Sequence, residues 1–405
     1  MSKAKLHVYS EIDKLNAVLL HKPGLELENL TPQIMQSLLF DDIPDAIAAG
    51  REYDAFIDVF KQNGTEVFFL EDFVVECLRD RGIREVFIRE FLYESALNEQ
   101  QIEDLGAELS RLEPEALVQR LICGLRKEEV NGARAQLYAE HRGLDYPLIL
   151  DPLPNLYFTR DPFTIIGQGV SIHKMYSTAR RRETLFSKLI FEEHPWFRNI
   201  QHYYEREYDD FLEGGDIIQL CPTALAVGIS ERTSRAAVEQ LAQSIFTNGE
   251  NIEHVLGFEI PAKRAFMHLD TVFTQIDRDL FVVHPEIEES LVVYDFQRTA
   301  KAGEFKLSER RGKLEEILEH YTGIDGIRVI RCGGNSKMDA QREQWNDGSN
   351  TLAIAPNEII VYDRNRITNE LFDKHGVKLH VIPSSEISRG RGGPRCMSMP
   401  LCRGI

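Results

Sequence analysis

Long apolar runs are missing from this 405-residue chain. No stretch approaches the roughly 18 consecutive apolar residues that span a bilayer. The opening "MSKAKLHVYSEIDKL" has no apolar segment of the kind that marks a secretory leader. An excess of basic charge is missing too. The 65 acidic and 47 basic residues leave a net charge of −18, which argues against nucleic acid or a membrane surface as partner. Cysteine is scarce. Cys77, Cys123, Cys221, Cys332, Cys396 and Cys402 are scattered, with the spacing of neither a disulfide scaffold nor a zinc ribbon. The expectation is free thiols in a reducing cytoplasm.

What is present is a repeated unit. "NTLAIAPNEIIVYDRNRITNELFDKHGVKLHVIP" reads as strand, turn, strand, helix, glycine stop, strand. Asn365 or Thr368 is placed to cap the helix, and Gly376 to end it. "GGDIIQLCPTALAVGISERTSRAAVEQLAQSIF" repeats that order, with Ser230, Glu231 and Thr233 opening the helix. "HLDTVFTQIDRDLFVVHP" and "LYFTRDPFTIIGQGVSIHKM" are further hairpins. "LNAVLLHKPG" and "YDAFIDVFKQNGTEVFFLED" supply a strand and a helix–strand pair. Five such modules are expected, each too small to bury its own faces. They predict an α/β fold, a five-bladed propeller of ββαβ modules. The stretch from Cys77 to Glu140 reads as helical, with Pro114 in the first turn of one helix. The predicted organisation is a propeller body of residues 1–76 and 141–405 with a helical bundle, 77–140, inserted in it. No proline- or glycine-rich linker sets the insert apart.

Radial packing would bring the polar residues of the first strands to the centre: Asp161, Glu213 with Asp216, His268 with Asp270, and Asp347 with Asn350. Taken singly, each has a plainer reading. Asp161 in "FTRDP" is a turn residue before Pro162. "EGGD" is as well read as a strand bulge as a ligand contact. His268 and Asp270 in "MHLD" share one face of a predicted strand. Arg180 in "TARRRET" and Arg232 in "SERTS" read as surface residues. The combination changes the weighing. Cys396 follows a loop with three glycines, 390, 392 and 393, and the apolar run after it, Met397 to Leu401, sets this end of the chain apart from an ordinary fraying terminus. A thiol, an imidazole and several carboxylates suit a guanidinium substrate. Carboxylates hold its edges, a thiolate attacks its carbon, and the imidazole moves protons.

These residues resemble the arginine deiminase family. The likeness runs through "LLHKPGLELENLTP", "LLFDDIP", "DPLPNLYFTRDPF", "ARRRETL", "FLEGGD", "ISERTS", "MHLDTVFT" and "GRGGPRCMSMPL" in order. The resemblance implies a five-bladed α/β propeller with a helical insertion. It also implies hydrolysis of L-arginine to L-citrulline and ammonia through a covalent S-alkylthiouronium, as a first step of arginine catabolism. By the same resemblance Cys396 is the nucleophile, His268 the general acid and base, and Asp161 and Asp270 the pair that grips the guanidinium. Glu213 supports them. Arg180 and Arg232 hold the substrate carboxylate, Asn155 and Phe158 contact substrate, and Gly390 and Arg391 belong to a loop that closes over it. Glycines 390, 392 and 393 are read as the source of that loop's freedom. Pro394, Arg395 and the helical insert are its variable pieces. No cofactor and no metal are implied, and a homo-oligomer is. Rival readings are another guanidino hydrolase, an amidinotransferase, or a non-catalytic arginine-binding sensor.

Overall fold

The computed structural model describes residues 5–139, 141–143, 145–261, 263–288 and 291–404; Glu140, the predicted end of the insert, lies outside them. It is a mixed α/β fold in which one small strand pattern recurs. Phe163–Ile166 and Gly169–Ile172 form a hairpin, and His202–Tyr204 returns parallel to its second strand. Ile217–Cys221, Ala224–Ile229 and His254–Glu259 repeat this order. So do Phe273–Gln275, Leu280–Val283 and Arg328–Arg331, and Leu352–Ala355, Glu358–Tyr362 and Lys378–Ile382. Each return passes through at least one helix, as a parallel pairing requires.

The fifth set is closed by distant parts of the chain. Leu15–Leu20 lies parallel to Glu66–Phe69, after helix Ala46–Gln62, and antiparallel to Met399–Arg403. The apolar run after Cys396 is therefore a strand. Its residues Met399 and Leu401 are buried in the core. A hairpin absent from the expected pattern, Val292–Arg298 with Phe305–Arg311, extends the sheet at His254–Glu259 to five strands.

Helices Leu70–Leu78, Arg81–Tyr93, Glu99–Leu109 and Pro114–Cys123 pack together, with Pro114 at the first helical position of the last. The segment is not helical throughout: Leu125–Arg126 is a short strand paired with Leu148–Leu150. Among the described residues no helix is long and apolar enough to cross a membrane.

Three local expectations are corrected. His268 and Asp270 do not share a strand face; they flank Leu269 in a 3-10 turn, Leu269–Thr271, just before Phe273–Gln275. Glu213 and Asp216 similarly bracket a 3-10 turn before Ile217–Cys221. The polar groups thus sit in the turns that lead into strands, where the backbone is free to fold around them. The helix after "SERTS" starts at Arg235 and is capped by Ser234, whose side chain accepts from the Ala237 N–H. Ser230 instead accepts from the N–H groups of Arg232 and Thr233 and donates to Asp216. Asn365 makes no side-chain cap for helix Arg366–Lys374. The Glu343 carboxylate, brought by a neighbouring helix, accepts from the Ile367 and Thr368 N–H groups. A carboxylate at a helix N-terminus also suits its dipole.

Candidate active site

Cys396 sits in the turn before the closing strand and is buried. Its N–H and that of Arg395 both donate to Asn350 Oδ1, at 3.1 Å each. Asn350 Nδ2 donates in turn to the Asp270 carbonyl at 3.1 Å. One amide therefore ties the thiol's backbone to that of Asp270. The result is a thiol 3.6 Å from Asp270 Oδ2. His268 Nε2 lies 2.7 Å from Glu213 Oε2, and Nδ1 lies 3.7 Å from Asp161 Oδ1. The imidazole packs on Gly215, where a Cβ would fall 2.5 Å from Nδ1. The second glycine of "EGGD" is thus a close-approach residue.

The carboxylates are only half satisfied. Asp161 Oδ2 accepts from Arg180 at 2.6 Å, and Asp270 Oδ2 accepts from Arg395 at 2.9 Å. Asp161 Oδ1 and Asp270 Oδ1 are buried with no hydrogen-bond partner among the described residues. Buried acceptors without donors are costly, so this pair is a place built for donors that the protein does not supply. A planar cation with N–H groups along two edges meets that need.

The same groups set the titration of the site. Burial pushes the Cys396 thiol well above its usual range, and Asp270, Asp161 and Asp347 push it further. Burial alone would depress His268. The Asp161 charge and the hydrogen bond to Glu213 outweigh it and carry the imidazole up to about 9. Burial would raise Glu213, but Arg232 and the His268 bond hold it down at about 2. Asp216 is pushed up to about 6 by burial. The resting pair at neutral pH is therefore a thiol and an imidazolium.

Asn155, Phe158, Arg180, Arg232, Gly390 and Arg391 all line the space above Cys396, together with Leu39, Met267 and Thr271. The two arginines differ. Arg180 is buried and bonded to both oxygens of Glu183, to Asp161, and to the Asn155 and Phe158 carbonyls. Arg232 is less tied: Nη1 is 3.4 Å from Glu213 and Nη2 is 3.2 Å from the Met267 sulfur. Arg391 has a left-handed backbone, φ 64°, and lays its guanidinium 3.3 Å over the Trp345 ring centre. The glycine reading is corrected here. Gly390, Gly392 and Gly393 are not in the left-handed region; a Cβ on them would fall 2.0 Å from Tyr157 Oη, 2.3 Å from Phe158 and 2.7 Å from Asn350. They let the loop lie tightly against its neighbours. The enclosed space is only about 30 Å³, far below the roughly 150 Å³ that admits a benzene-sized guest.

Several supporting residues escaped the sequence reading. Arg395 is buried and bonded to Asp270. Glu11 lies far away in sequence and reaches Arg395 at 2.9 and 3.2 Å. Glu183 had a signal, three residues after Arg180 at the start of a helix. Asn350, expected near the centre, is the amide that links the Arg395 and Cys396 N–H groups to Asp270.

A family model described as arginine deiminase matches residues 36–403. Curated relatives called arginine deiminase include one from Treponema denticola, 45% identical over 405 residues and covering 99% of each chain. Another, from Clostridium perfringens, is 47% identical over 406 residues with 98% of each chain covered. Among solved structures, the N-terminal domain of ArgZ, an arginine dihydrolase from cyanobacteria, superposes with a TM-score of 0.54 at 14% identity, covering 96% of this chain and 98% of its own. A Pseudomonas aeruginosa DDAH in complex with citrulline gives a TM-score of 0.53 at 13% identity, covering 95% of this chain and 99% of its own.

Proposed function

The chain belongs to the arginine deiminase family, and from that premise we propose how its buried thiol, imidazolium and half-satisfied carboxylates hydrolyse L-arginine to L-citrulline and ammonia. The observation that carries the assignment of roles is the pair of unpartnered oxygens, Asp161 Oδ1 and Asp270 Oδ1, beside the Cys396 thiol. The substrate guanidinium donates to both. Its charge offsets the carboxylates that hold the thiol protonated, so the thiol proton is released as substrate binds.

The Cys396 thiolate adds to the guanidinium carbon, giving a neutral tetrahedral adduct. His268, protonated between Asp161 and Glu213, gives its proton to one nitrogen, which leaves as ammonia. An S-alkylthiouronium remains on Cys396. The now neutral imidazole takes a proton from water as the water oxygen adds to the same carbon. Collapse passes the hydroxyl proton to the departing sulfur, which restores the Cys396 thiol and releases neutral citrulline. Arg232 and the unspent donor of Arg180 take the α-carboxylate, with Asn155 and Phe158 against the substrate chain. Because the enclosed space is so small, we assign Gly390 and Arg391 to a rim that withdraws to admit arginine and returns over it.

The five strand sets support a propeller whose blades surround Cys396, and the packed helices support an insert over 77–140. We place the protein, with its free thiols, in a reducing cytoplasm and expect a homo-oligomer, which sedimentation would test. The decisive assay measures citrulline and ammonia from arginine, agmatine and dimethylarginine in parallel. Arginine alone should be turned over well. Cys396→Ala should eliminate turnover, and a covalent adduct trapped on the native protein should be missing from it. Residual turnover above a trace in Cys396→Ala overturns the assignment of the nucleophile.

A further inference from the structure

Directly before the nucleophile stands a guanidinium with no solvent contact. Arg395 Nη1 donates to Asp270 Oδ2 at 2.9 Å, Nη2 donates to the Ile217 carbonyl at 2.7 Å, and Nε and Nη2 reach the two oxygens of Glu11 at 3.2 and 2.9 Å. Asp270 is 0% and Arg395 1% exposed. Asp270 Oδ2 is thus shared between Arg395 and the thiol, and Oδ1 alone is left over. Arg395 is in turn fixed by Glu11, from near the amino end of the chain.

We propose that Arg395, clamped by Glu11, is a positioning residue that fixes which oxygen of Asp270 faces the substrate and keeps that carboxylate ionised. Three observations support the role. The last torsion of a carboxylate is broad and two-fold, so the oxygen that Arg395 holds, Oδ2, decides which oxygen is left toward the substrate. The neighbours of Asp270 are of mixed sign: Arg395 and His268 favour its ionised form, and burial and Asp161 oppose it. Arg160, Asp347 and Cys396 complete the charged and titratable surroundings. Finally, Arg395 and Cys396 are adjacent, and Asn350 ties both N–H groups to Asp270. Side chain and backbone therefore form one closed loop, and a change at Arg395 moves thiol and carboxylate relative to each other.

The role rests on the proposed grip of Asp270 on the guanidinium, so its test is a pH profile of arginine turnover in the full protein. Arg395→Met, Arg395→Lys and Glu11→Gln are compared with the native chain. Arg395→Met should lower kcat by about 10²-fold, the scale of a reacting group displaced by about 1 Å. It should also move the acid limb of kcat/KM up by about one unit or more, because the cation that keeps Asp270 ionised is gone. Arg395→Lys keeps the charge and loses the fork. Its kcat should fall while its acid limb stays within a few tenths of a unit of native. Glu11→Gln should lower kcat less strongly than Arg395→Met, because the clamp is loosened, and should move the acid limb the opposite way, down, because a negative charge is removed from beside Arg395 and Asp270. If Arg395→Met does not fold, Arg395→Lys and Glu11→Gln still decide the matter. A uniform loss of activity with every limb unmoved shows a structural part only and overturns the proposal. A native enzyme that releases no citrulline overturns the underlying reading instead.

Discussion

Two buried histidines in this molecule sit between two carboxylates each. His21 has Glu71 at Nδ1 and Glu26 3.4 Å from Nε2. His268 has Glu213 at Nε2 and Asp161 at 3.7 Å from Nδ1. Both imidazoles are carried up, to about 10 and about 9, by neighbouring carboxylates that outweigh burial. By composition and titration they are near twins. The difference is what the unpaired oxygen faces. Both nitrogens of His21 have carboxylate partners, and Glu71 too keeps one buried oxygen, Oε2, without a hydrogen-bond partner among the described residues. His268 keeps Nδ1 beyond hydrogen-bond distance from Asp161, whose free oxygen faces the same small space as Cys396. Neither a raised histidine nor an unpaired oxygen beside it is by itself a mark of catalysis; what sets His268 apart is that its neighbour's free oxygen shares a space with a thiol.

The comparison can be broken most sharply at the unfinished oxygen. Asp161→Asn should cost about 10³-fold in kcat/KM, the upper range for removing one charged partner of a buried ion. Steady-state kinetics would show it, and a loss under tenfold means the guanidinium is gripped elsewhere. Next comes the histidine pair itself. His268→Ala should lower kcat by at least about 10²-fold. His21→Ala should leave kcat of the folded enzyme near native and lower stability by about 3 kcal/mol, since it strands carboxylates against one another. Urea unfolding and kinetics on both variants separate the two roles, and a catalytic defect in His21→Ala would erase the contrast.

A smaller effect sharpens the rim. Native enzyme should prefer arginine to agmatine by about 10⁴-fold, because agmatine lacks the carboxylate. Arg232→Ala should narrow that ratio, and should do so more than Arg180→Ala at equal folding, since Arg180 is largely spent on Glu183 and Asp161. An unchanged ratio in both places the carboxylate elsewhere. The smallest effect is in pH. If His268 is the acid that releases ammonia, as proposed, kcat/KM should fall as pH rises through about 9. His21, raised from 6.5 to about 10, adds stability that is complete below pH 6.5 and lost as pH rises through 10. His21→Ala should flatten stability between those values and leave the activity limb in place.

The residue types of the site were legible because each has chemistry that a bland environment does not explain: a thiol behind a glycine loop, a histidine two residues from an aspartate. The strand modules were legible from short apolar runs between turn residues. What was not legible is whatever depends on a long-range meeting. Glu11 looks like an ordinary acidic residue until the fold sets it against Arg395. The pairing of Leu15–Leu20 with Met399–Arg403 has no local signal at all. Local signals also misplaced the His268 turn, since alternation of two polar residues is shared by a strand and by a short 3-10 turn. The glycines before Cys396 were read as freedom, and they are contact.

The closing strand has a consequence in time. A ribosome delivers the chain from its amino end, at roughly 5–20 residues per second. Glu11, Asp161, Glu213, His268, Asp270 and Asn350 all precede Cys396 in sequence, and Met399–Arg403 must emerge before it can pair with Leu15–Leu20. The Cys396 sulfur is thus made after the other polar groups of the site, and the strand that seats it also completes the sheet begun near residue 15. Until that pairing forms, the carboxylates lack the thiol proposed to act with them, and activity is expected only once the closing strand is in place.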